Sequence, residues 1–130
     1  MAKSTAPPQQ RTQEIEVSQW IPFLAEFTRE NRGAHGILRV MGADVGYQIQ
    51  TEDRRFDGVS ADVKDRTRDV WFSFGSMPGD RLTHGVQDAT VIRVLPPTGD
   101  AGPIMEVEAK DGTKTILELS NPEAFALPPR

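Results

Sequence analysis

Val59-Ser60-Ala61-Asp62-Val63-Lys64 alternates apolar and polar residues without a break. Successive side chains of an extended chain point to opposite faces, so Val59, Ala61 and Val63 line one side of a strand and Ser60, Asp62 and Lys64 the other. One face belongs on a core and the other in water, the signature of antiparallel sheet. Outward from this run the same period of two recurs over roughly 36–42, 45–51, 56–64, 69–75, 89–95, 103–110 and 113–119, each stretch bounded by Gly, Pro or Asp. Gly42-Ala43-Asp44 and Asp111-Gly112 supply hairpin turns, the second because Asp-Gly readily takes positive φ at both central positions.

Upstream the period changes from two to three and four. Trp20, Phe23, Leu24 and Phe27 fall on one stripe of a helix that starts after Ser18, a good N-cap residue, and ends near Arg32-Gly33. Pro22 falls in or just after the first turn, where its missing N–H costs little. An aromatic stripe of this kind packs on a sheet more readily than it forms a cofactor or peptide groove. Short strands joined by tight turns must hide their edges, by closing into a small barrel or by rolling up. The expected fold is therefore α+β: one N-terminal helix packed on a mainly antiparallel small β-barrel or strongly rolled sheet of about six to seven strands. The barrel is the favoured form, with the helix capping an open end.

At 130 residues the chain has the size of one domain. Residues 1–12 are small, polar and Pro-containing and read as a tail, residues 13–120 as the domain, and residues 121–130 as a second tail or a strap lying on the sheet through Phe125 and Leu127. The chain has no cysteine, which closes disulfide, thiolate-metal and thiol-nucleophile chemistry. It also has no apolar run approaching the ~18 residues of a membrane span and no apolar stretch near Met1 of the kind that exports a protein, so a cytoplasmic protein with no membrane partner is expected.

Net charge is −4. The densest basic stretch, Arg54, Arg55, Lys64, Arg66 and Arg68, is interleaved with Asp53, Asp57, Asp62, Asp65 and Asp69, which reads as a solvated mixed-charge surface rather than a phosphate track. Nucleic acid is thus an unfavoured partner. No Gly-x-Ser-x-Gly elbow and no Gly-rich phosphate loop occurs, and the two histidines, His35 and His84, stand far apart in the chain. No catalytic residue, metal ligand or cofactor is assigned.

Two loops break the run of short connections, Ser76–Asp88 and Pro96–Gly102. Long loops on a β-scaffold are where binding tends to sit. The second is a plain connector, with Asp100 its one side chain suited to chemistry. The first gathers Asp80, Arg81 and His84, the candidate binding residues, against the alternative that Asp80 begins a turn and His84 makes a structural hydrogen bond. Trp71 should face away from Val70, Phe72 and Phe74, and cover by the helix is expected over a free binding surface.

Trp20-Ile21-Pro22-Phe23-Leu24, Gly58-Val59-Ser60-Ala61-Asp62-Val63-Lys64, Pro78-Gly79-Asp80 with Leu82-Thr83-His84, and Asp111-Gly112 resemble segments of a bacterial family of single-domain proteins carried as a domain of unknown function. The resemblance is spread over residues 11 to 120. It implies a single α+β domain and brings no reaction, ligand or catalytic residue. The reading is a non-catalytic module that binds a protein partner or self-associates. The alternatives are a small metal-dependent or acid–base hydrolase centred on residues 76–88, and a single-stranded nucleic-acid binder stacking bases on Trp71, Tyr47 and the arginines. A pocket holding His84 would favour the enzyme, a flat apolar patch association, and a basic aromatic groove nucleic acid.

Overall fold

The alternating runs do form strands, and the computed structural model describes residues 12–42, 46–75, 78–99 and 101–120, with side chains described except at 46–53 and 78. The turn residues Ala43 and Asp44, Ser76, Asp100 and the two terminal segments anticipated as tails therefore lie outside the described residues, apart from Thr12. In chain order the elements are β1 (Gln13–Ile15), α1 (Trp20–Asn31), β2 (His35–Gly42), β3 (Gly46–Val63), β4 (Arg68–Phe74), β5 (Leu82–Val86), β6 (Ala89–Leu95), β7 (Ala101–Ala109) and β8 (Lys114–Ser120). All eight strands join one antiparallel sheet in the order β1-β6-β7-β8-β2-β3-β4-β5.

The helix begins differently from the sequence expectation. Ser18 lies inside a 3₁₀ turn, Val17–Gln19, and the α-helical N-cap is Gln19, with no side-chain cap. Trp20 anchors this start by donating its indole N–H to the Ile15 carbonyl at 2.9 Å. The stripe behaves as its spacing dictates: Trp20, Leu24 and Phe27 are buried, and Phe27 meets Phe56 edge to face with ring centroids 5.9 Å apart. Gly33, at φ +94°, turns the chain into β2, and its N–H bonds the Phe56 carbonyl.

The main correction concerns closure. β1 and β5 end the sheet and do not pair with each other, so the sheet is not a barrel, and it has eight strands rather than six or seven. It is nevertheless folded back on itself. β3 runs through both halves, pairing with β2 up to Arg55 and with β4 from Phe56, with a register shift between Phe56 and Gly58. Gln87 and Asp88 alone then carry the chain from β5 at one edge to β6 near the other. Asp88 takes φ +55°; its N–H is received by the Asp69 carboxylate and its carbonyl receives the Lys110 N–H. Between the halves lies one continuous core, from Val70, Phe72, Phe74 and Val86 on one side to Ile92, Met105, Val107 and Leu117 on the other.

Closure fails for a physical reason. A barrel needs each end strand to supply a ladder of hydrogen bonds to the other. β1 has three residues, paired along one edge with Ile92, Arg93 and Val94 of β6, and a strand this short offers too few main-chain groups on its other edge for a ladder to β5. Three differences account for the count: β1 is too short to show a period, β5 lies inside what reads as the loop 76–88, and the runs 45–51 and 56–64 are a single strand, β3.

Candidate functional site

The three candidate residues of that stretch do not converge. Asp80 ends a short 3₁₀ turn, Pro78–Asp80, and its carboxylate pairs with the Arg54 guanidinium at 2.9 Å. Arg81 pairs with Asp57 at 2.7 Å, and Arg32 approaches the same carboxylate at 3.8 Å. The arginines considered as base-stacking or phosphate groups are thus partly engaged by carboxylates. Asp80 and Arg81 fasten a turn to β3, and exposed pairs of this kind contribute little stability.

His84 goes elsewhere. It is the central residue of β5, register partner of Phe72, and shares the inward face of that strand with Leu82 and Val86. Burial lowers its pKa below 6.5, because the imidazolium loses solvation there, so the ring is neutral at pH 7.

Trp71 is the residue whose surroundings the sequence reading missed. It is 41% exposed and is not under the helix. Its register partner is Gly85, and a β-carbon added to Gly85 would come within 2.4 Å of the Trp71 ring. The indole therefore lies on bare backbone of β5. A glycine opposite an aromatic across an antiparallel pair marks a close approach of ring and chain, and this pairing exists only through the register of β4 with β5.

Trp71, His84 and Gly85 form one wall of a groove of about 480 Å³, and Val40, Thr113 and Thr115 form another. Ala109 and Asp111 close it at the β7–β8 hairpin. Asp111 is held below the usual carboxylate range by the backbone N–H of Thr113, bonded at 2.9 Å. The groove thus combines an aromatic plate, a neutral imidazole, two threonines and one carboxylate. Beside it, β5 is the end of the sheet, and among the described residues no strand pairs with its second edge. Among the described residues no cluster of three or more His, Asp or Glu is arranged to hold a metal ion. No helix there is long and apolar enough to cross a membrane.

These features define an α+β domain built on a rolled, open antiparallel sheet with a groove at one end strand. The chain belongs to a family of unknown function (DUF5335), whose model matches residues 11–129. No curated protein and no solved structure matches it.

Proposed function

We propose that the domain is a binding module that takes an extended segment of a protein partner along β5. The observation that carries this reading is the character of that edge. Leu82-Thr83-His84-Gly85-Val86 contains no Lys, Arg, Asp, Glu or Pro, the residues by which exposed strand edges are usually guarded against pairing. An added strand would find main-chain hydrogen bonds along β5, and every second side chain would meet the groove walled by Trp71. The neutral state of His84 at pH 7 supports the same use, since it adds no charge to the edge.

The test is selection of a random-peptide display library on the full chain, followed by mapping of the selected peptides onto backbone amide resonances. Intermolecular contacts to the amides of residues 82–86, lost in Trp71→Ala, are expected. Contacts elsewhere, or an edge occupied by a second copy in sedimentation runs, would sink the reading.

One observation favours a second reading, acid–base chemistry. His84 is a neutral base within a groove that also holds Asp111 and Thr115. Hydrolysis of chromogenic esters abolished by His84→Gln, with folding intact, would move the assignment there.

A further inference from the structure

We propose that the groove beside β5 receives one Lys or Arg side chain of the partner protein, its methylene stem against the apolar walls and its cation on the Trp71 ring, answered by Asp111. This rests on the reading of β5 as a peptide edge and names the side chain which that reading leaves open.

The ring is set for such use by its neighbours. Trp71 is 41% exposed, although its six-membered ring lies over the backbone of Gly85, where a β-carbon would meet Cζ3, Cε3 and Cη2. An aromatic side chain supported in this way loses little freedom when a ligand arrives. The molecule makes a contact of the same kind internally, with the Arg68 guanidinium over Trp20, 6.0 Å from the ring centroid. Arg68 and Trp71 lie on opposite faces of β4, so that cation does not serve Trp71.

The walls of the groove divide as a long cationic side chain does. Val40, Val86 and Ala109 suit a methylene stem, and Asp111 supplies a carboxylate for the head. Among the described residues lining the groove none is positively charged at pH 7, since His84 is neutral there. Lys114, between Thr113 and Thr115 of the wall, alternates to the other face of β8. A second depression shares Gln87, Ala109 and Asp111 with the groove and adds Asp88 and Lys110. Asp69, two residues before Trp71 on the same face of β4, accepts the Asp88 N–H. Asp69, Asp88 and Asp111 thus stand against Lys110, a balance that attracts a cation and repels an acidic side chain. A wholly apolar side chain would cover Asp111 without compensating its charge.

Two small probes test the site on the full chain without any strand addition: N-acetyl-arginine methylamide and its neutral citrulline counterpart. The arginine probe should shift the Trp71 indole N–H and the Asp111 and Thr113 amide resonances saturably, and the citrulline probe should not. The Trp20 indole N–H, buried and bonded to Ile15, should stay in place. Trp71→Leu and Asp111→Asn should each weaken the arginine probe about tenfold, the order expected for a cation–aromatic contact or a charge partner. Asp111→Asn keeps an oxygen for the Thr113 N–H, so its loss reads the charge and not the hairpin. Equal shifts from both probes, shifts centred away from Trp71, or full affinity in Asp111→Asn would overturn the cation site. In the selected peptides, Arg→citrulline or Lys→norleucine replacement should weaken binding by a similar factor. Peptides that contact residues 82–86 and tolerate the replacement would overturn this inference and leave the edge reading in place. Arginine-specific shifts at Trp71 with peptides bound elsewhere would keep the cation site and sink the edge reading.

Discussion

The hydroxyl of Thr28 on α1 bonds both main-chain groups of Val59 on β3, accepting from its N–H at 2.9 Å and donating to its carbonyl at 3.0 Å. One side chain thus satisfies a donor and an acceptor that β2, which begins opposite Arg55, does not reach. Gly58 beside it leaves room for the contact, since a β-carbon there would lie 3.2 Å from the Thr28 methyl. The helix is held to the sheet at this point by polar contacts as well as by its apolar stripe.

Thr28→Val keeps the shape and removes both bonds, leaving two partly buried backbone groups without partners. The expected cost is about 1–2 kcal/mol in denaturant unfolding, while Thr28→Ser, which keeps the hydroxyl, should lose less than half of that. Equal losses in the two variants would show that the methyl, not the hydrogen bonds, holds the helix.

Phe27→Ala opens a cavity against Phe56 and should cost roughly 3–5 kcal/mol. Removal of residues 1–11, which hold no large apolar side chain beyond Met1, should leave Tm almost unchanged. A truncation as damaging as the Phe27 change would place that segment in the core.

Gly85→Ala should displace the Trp71 ring, since the new methyl would occupy its position. Trp20 is fully buried and Trp71 is not, so acrylamide quenching reads Trp71 selectively. Stronger quenching and a red-shifted emission are expected in the variant. An unchanged spectrum would mean that the indole does not rest on β5.

His84 has a folded-state pKa below 6.5, so in acid the unfolded chain takes up its proton more readily than the folded one. Stability from this residue is present above about pH 6.5 and is lost as pH falls below that value toward the folded pKa. The denaturant midpoint should therefore decline between pH 7 and pH 5 more steeply in the wild type than in His84→Gln. Matching slopes would remove the effect. Asp111, lowered from 3.8, acts in a separate window at more acid pH.

Asp80→Asn and Arg81→Ala should each cost no more than about 1 kcal/mol and leave peptide selection on β5 unaltered, because both side chains are spent on exposed pairs with Arg54 and Asp57. Loss of peptide binding in either variant would return the turn to the site.

Local patterning determined much of this protein. The stripe Trp20, Leu24 and Phe27 specified α1, and alternation specified β2, β4, β6, β7 and β8 to within a residue or two, because each element must present one apolar face. Alternation was also there in Leu82, His84 and Val86, but a histidine on the apolar side and a glycine beside it hid β5 in a loop. β3 read as two strands because its middle carries Glu52-Asp53-Arg54-Arg55, where charge masks a continuous ladder. Only the tertiary structure decided that β8 lies beside β2, that the end strands stay apart, and that Trp71 rests on Gly85 in the open. Pairing of Gly36 with Leu119 is a contact between distant parts of the chain, and nothing in the neighbourhood of either residue encodes its partner. Closure, groove and exposed edge all depend on such contacts, which is why the elements could be read from the amino-acid order and the site could not.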